Sequence, residues 1–163
     1  MGEKKKHFRA IAACCYAVFF AFYLYIGFQP ADAIHYDISG HLEIPSLSIN
    51  SDVTTLEIKD NKLATPDSIV GVYSPHKNKT FLIGHSTTIF KGLTDIKTDQ
   101  IINYNGKLYA VTDITTKAKS DINMAQILQN EPRPTLILMT CAGELLPNAD
   151  ATHRLIVTAE IIE

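Results

Sequence analysis

The apolar residues fall into two patterns that divide the chain. Residues 8–28, FRAIAACCYAVFFAFYLYIGF, are apolar almost throughout, with Arg9 the single charge. About 20 such residues in a row are enough for a helix to cross a hydrocarbon core, so a transmembrane anchor is expected there, behind a basic tail over 1–7. From residue 41 the apolar positions come instead in short runs bounded by turn residues, the pattern of strands. HLEIPSL and SLSINSDVTTLEI alternate loosely, and Pro45 is expected at a strand start or an edge. SIVGVYS and TFLIGHS flank the turn PHKNK. DQIINYNG and KLYAVTDITT flank Asn105-Gly106, the strongest short hairpin signal in the chain. PTLILMTC and HRLIVTAEII are the most strand-like segments. Helical pattern is confined to residues 88–93 and to SDINMAQILQN, where Ser120 or Asp121 is placed to cap the start and Pro132 and Pro134 block continuation. The sum is an all-β domain over 41–163, with seven to eight strands and one or two short helices, joined to the anchor by a linker over 29–40. Closing the sheet into a barrel would leave no exposed edge.

Charge orients this arrangement. Lys4, Lys5 and Lys6 precede the apolar segment, and no Lys or Arg occurs between Arg9 and Lys59. The positive-inside bias then predicts a single-pass membrane protein with a cytoplasmic N-terminus and an extracytoplasmic domain. Ala31-Asp32-Ala33 fits the small-x-small pattern of a signal-peptide cleavage site, but the apolar run exceeds the usual 7–15 residues of a signal-peptide core, which favours an uncleaved anchor. Beyond residue 33 remain 11 basic and 15 acidic residues, a balance of −4, with no basic stripe and no Trp. Nucleic-acid binding is not expected.

Three residues of the β domain carry candidate chemistry. Cys14 and Cys15 belong to the anchor segment, so Cys141 is the domain's one cysteine and has no partner for an internal disulfide. It ends the strand TLILMTC. On count alone, a reactive thiol and a buried structural cysteine both stay open. His85 ends another apolar run, LIGHS, where a histidine is ordinarily a satisfied surface residue. Arg154 lies inside the last strand, HRLIVTAE, and the domain's one other arginine is Arg133. Its ordinary reading is a solvated outward face, since alternation places it outside half the time. Together the three suggest more. A useful thiol nucleophile needs a base or a cation beside it, and acyl transfer needs a donor where the oxyanion develops.

These fragments, in order, resemble a bacterial sortase, a cysteine transpeptidase. IPSLSIN looks like the family's opening strand and FLIGHSTTIFKGL like its histidine segment, with Phe90 and Leu93 at the spacing often seen after that histidine. LMTC matches the last four positions of the TLxTC signature, and HRLIVTAE looks like the arginine strand. Ile137 is the departure, standing where the signature has Thr. The resemblance implies a sortase-like closed β-barrel in which Cys141 attacks the scissile carbonyl of an LPxTG-like C-terminal sorting motif on an exported protein. His85 would move protons and Arg154 would hold substrate and oxyanion, helped by donors around Thr140, the expected substrate-binding residue. The amine acceptor would be a cell-wall precursor or a pilin. Residues 113–133 would correspond to the variable substrate-binding loop, and no third residue is implied to orient His85. No cofactor and no metal are expected: the acidic residues are scattered, and CxxC and HxxxH pairs are absent. Two alternatives compete, an exported cysteine peptidase acting by hydrolysis and a non-catalytic anchored β-domain of an adhesin or a pilus assembly.

Overall fold

The short apolar runs form strands β1 (Ile38–Ile44), β2 (Ile49–Thr55), β3 (Ile58–Lys59), β4 (Lys62–Leu63), β5 (Val70–His76), β6 (Lys79–Ile83), β7 (Ile101–Tyr104), β8 (Lys107–Ala118), β9 (Thr135–Leu145) and β10 (Ala151–Ile161). The computed structural model describes residues 35–59, 62–147 and 150–162. Eight strands close a barrel in the order β1-β2-β5-β6-β9-β10-β8-β7, and β3 with β4 makes a separate small hairpin. One short helix, α1 (Met124–Ile127), lies in the connection between β8 and β9.

The expected membrane helix and the location built on it are corrected. Among the described residues no helix is long and apolar enough to cross a membrane. α1 is a single turn, about 6 Å long, against a hydrocarbon core of about 30 Å. The apolar residues of the described chain come in strand-length pieces, most of them packed in or against the barrel. Residues 8–28, on which the anchor was read, lie outside the described residues. A single-pass topology with a cytoplasmic N-terminus and an extracytoplasmic domain is therefore not carried further.

Side-chain alternation explains why β9 reads as a continuous apolar run. Leu136 and Leu138 point into the barrel with Leu82, Leu155 and Val157. Ile137 and Met139 point outward, onto a second apolar layer with Phe81, Ile83 and Ile156. Leu56, Leu63, Met124 and Leu128 cover that layer from outside. A strand covered on both faces loses the polar alternation of a half-exposed one. Ile137 belongs to this outer layer and is 5% exposed, so the position where the signature has Thr is here part of an apolar wall.

The connections follow local chemistry. Asn105 (φ 53°) and Gly106 (φ 77°) make the tight turn between β7 and β8, both in the left-handed region that such two-residue turns require. Pro45 opens a one-turn 3-10 segment, Pro45–Leu47, between β1 and β2. The α1 cap is Asn123, not Ser120 or Asp121. Its side chain accepts from the Gln126 N–H at 3.2 Å, while residues 119–121 form their own 3-10 turn. Residues 88–93 form turns, and Phe90 and Leu93 are buried in the barrel core.

Candidate active site

Strand register brings the three candidate residues into one row. β6 and β9 run parallel with Ile83 beside Met139. His85 lies two residues past Ile83 and Cys141 two past Met139, so both arrive at the same level of the sheet. β10 runs antiparallel to β9 with Arg154 opposite Cys141. Neighbouring strands are about 4.8 Å apart, so the histidine just past the end of β6 lies alongside the cysteine of β9 and the arginine of β10. All three line one open groove of about 530 Å³. Phe81, Ile83 and Met139 form its apolar floor, Ile58 and Leu63 of the β3–β4 hairpin one wall, and Met124 and Leu128 the other.

The row is held by the residue that precedes the thiol. The Thr140 hydroxyl donates to the Gly84 carbonyl at 2.7 Å, which ties the middle of β9 to the backbone just before His85. Thr140 is 3% exposed, so its hydroxyl, expected to help bind substrate, is engaged inside the protein. Gly84 is required by space: a Cβ there would lie 2.6 Å from Ile89 Cγ2 and 2.9 Å from Phe90 Cδ2. The chain then turns, with the Phe90 N–H donating to the His85 carbonyl at 3.0 Å. The imidazole is partly open to solvent, and its Nε2 lies 3.7 Å from Oδ1 of Asp67, itself an exposed carboxylate. That neighbour was not anticipated from the sequence. The Cys141 thiol is free and half-buried.

Arg154 does project from the outer face of the barrel, yet its side chain is only 14% exposed. Nη1 donates to the carbonyls of Ala151 (3.0 Å) and His153 (2.9 Å), and Nη2 donates to Asp150 Oδ1 at 2.6 Å. Asp150 also receives the Lys119 ammonium and the Ala151 N–H at 2.8 Å. These donors, Lys119 first and then Arg154, hold its carboxyl well below the usual carboxylate range. Asp150 lines the groove beside Arg154, and nothing in the sequence pointed to it: an i,i+4 spacing signals a contact on helices, not on strands. Among the described residues no group of three or more His, Cys, Asp or Glu is arranged to hold a metal ion.

A thiol, an imidazole and a guanidinium lining one apolar groove have the chemistry to serve as a nucleophile, a proton carrier and an oxyanion donor. The groove can take an extended, partly apolar chain.

The sortase domain family model matches residues 42–162. No curated protein sequence is matched. Among solved structures, a lid mutant of sortase A from Corynebacterium diphtheriae is 20% identical at TM-score 0.63, covering 80% of this chain and 73% of that one. Sortase A from Listeria monocytogenes is 20% identical at TM-score 0.60, covering 77% and 88%. Sortase C-1 from Actinomyces oris is 21% identical at TM-score 0.60, covering 86% and 80%. At these identities the solved structures speak for the fold.

Proposed function

Because the chain belongs to the sortase family, we propose that it is a cysteine transpeptidase for exported proteins that carry a C-terminal sorting motif of the LPxTG type. The Cys141 sulfur attacks the carbonyl carbon of the scissile Thr–Gly bond. The tetrahedral intermediate collapses as His85 gives a proton to the departing amine, leaving a thioacyl ester on Cys141. An incoming amine then attacks that ester, His85 takes its proton, and the Cys141 sulfur departs as the thiolate with a new amide bond formed. Arg154 offers N–H donors to the developing oxyanion and to the substrate backbone. The acceptor is an amine of the cell wall or of a pilin.

The observation that carries this reading is that Cys141 on β9, Arg154 opposite it on β10 and His85 just past the end of β6 all line a single groove. An unreactive structural cysteine needs neither a histidine at its own level nor an arginine opposite it. The test is a library of sorting peptides offered to the purified chain with and without an added amine. Transfer product should form with amine, and Cys141→Ala should lower the rate by at least about 10³-fold, as expected for loss of a covalent nucleophile. Cleavage that ignores the amine would favour a hydrolytic peptidase. No processing of any motif, with Cys141 labelling no faster than free cysteine, would leave a non-catalytic barrel.

A further inference from the structure

Arg154 carries the charge that the proposed reaction needs, and a guanidinium on a long side chain has many rotamers to lose before it can serve. The structure shows how it is fixed. Nη1 bridges two carbonyls of its own strand, and Nη2 is bound by Asp150 at the start of that strand. Of the five N–H donors of a guanidinium, those on Nε and the second on Nη2 meet no acceptor among the described residues and are open to a ligand in the groove. Asp150 does not hang on Arg154 alone. Lys119, from the turn after β8, grips its other oxygen, so the carboxylate is fixed from a separate element. Two cations share this one anion, so the cluster of Arg154, Asp150 and Lys119 carries a net positive charge. Asp150 can therefore hold Arg154 without cancelling its field.

We propose that Asp150, anchored by Lys119, is a positioning residue for Arg154. It keeps the guanidinium folded over the end of β10 at the groove rim, opposite Cys141. The proposal rests on the transpeptidase reading for its kinetic consequence, though not for its structural one. The strongly lowered carboxyl of Asp150 agrees with it, since the group stays ionised wherever the protein is folded and assayed.

The experiment compares the full chain with its Asp150→Asn, Asp150→Glu and Lys119→Met variants through two readouts. The first is ¹⁵N relaxation of the Arg154 Nε–H, which reports side-chain order without reference to activity. The second is the split of kcat and KM in amine-saturated peptide transfer, with melting curves to show that each variant is folded. Positioning predicts a rigid Nε–H in the parent and a mobile one in Asp150→Asn. It also predicts kcat/KM down by about tenfold or more at unchanged Cys141 labelling by a neutral thiol reagent, the size expected when an oxyanion donor is misplaced. Asp150→Glu should recover part of both, and Lys119→Met should show a smaller loss of order. An Asp150→Asn variant with Arg154 still rigid and kcat/KM within twofold of the parent overturns the proposal. A fall in kcat and in labelling together, in proportion to unfolded protein, overturns it equally. If the parent transfers no peptide at all, the transpeptidase reading falls, and the relaxation readout still decides the role of Asp150.

Discussion

At the scale of single residues, the candidate site depends on groups that do no chemistry. Thr140 illustrates this. Its hydroxyl meets the Gly84 carbonyl inside the protein, so Thr140→Val should leave that carbonyl without its donor at nearly constant side-chain volume. The expected cost is about 1–2 kcal/mol in urea unfolding, with slower peptide transfer because Gly84 leads directly to His85. Asp150 gives a pH signature. Its folded carboxyl is held below the ordinary value of 3.8, so its contribution to stability is fully present above that value and is lost as pH falls toward the lowered one. The stability difference between the parent and Asp150→Asn should be constant near neutrality and shrink as pH is taken from about 5 to about 2. A difference that grows on acidification would contradict the assignment. Cys141, His85 and Arg154 could be singled out as candidates in the sequence because each stands out against an apolar run. Asp150 and Asp67 could not be singled out, since acidic residues in loops are common and only the fold shows that Asp150 lines the groove and that Asp67 lies beside His85.

Elements were legible to different degrees. Strands with a strong apolar run, such as β9 and β10, and the Asn105-Gly106 turn could be placed from local pattern, because period-two alternation and left-handed φ are local properties. The helix in SDINMAQILQN was not, beyond its existence. It is one turn long, and Asn123 outcompetes the earlier caps because residues 119–121 are already turned. The connection that carries α1 is latched to the barrel by an ion pair between a buried lysine and a partly exposed glutamate. The Lys79 side chain is 3% exposed, and its Nζ lies 2.9 Å from Glu131 Oε1. Asn78 Nδ2 donates to the Glu131 carbonyl at 3.0 Å. Removing the acid alone leaves an ammonium buried without its partner, whereas removing both charges does not. Glu131→Ala should therefore destabilise by about 1–3 kcal/mol, and adding Lys79→Met should restore most of that in denaturant unfolding. Equal losses in the single and double variants would show that the pair does not hold the connection.

For the whole molecule, the fold class was readable and the neighbour relations were not. Nothing local in the sequence says that β6 pairs with β9 in parallel across more than fifty residues, or that β10 then lies on the far side of β9. Yet that order puts histidine, thiol and arginine side by side. The family resemblance supplied the constellation, and the barrel register gives it a physical cause. The membrane helix is the large-scale expectation that did not carry over. It was read from composition over residues 8–28, which lie outside the described residues, and among the described residues no helix is long and apolar enough to cross a membrane.

The most direct measurement is the intact mass of the full chain after incubation with a sorting peptide in the absence of amine. The proposed chemistry predicts a covalent adduct equal to the peptide's acyl portion, located on Cys141 and absent in Cys141→Ala. A nucleophilic amine or hydroxylamine should discharge it with release of the acyl product. Peptide cleavage that persists in Cys141→Ala, or cleavage by the parent in which no thioacyl adduct can be trapped and added amine changes nothing, would contradict it.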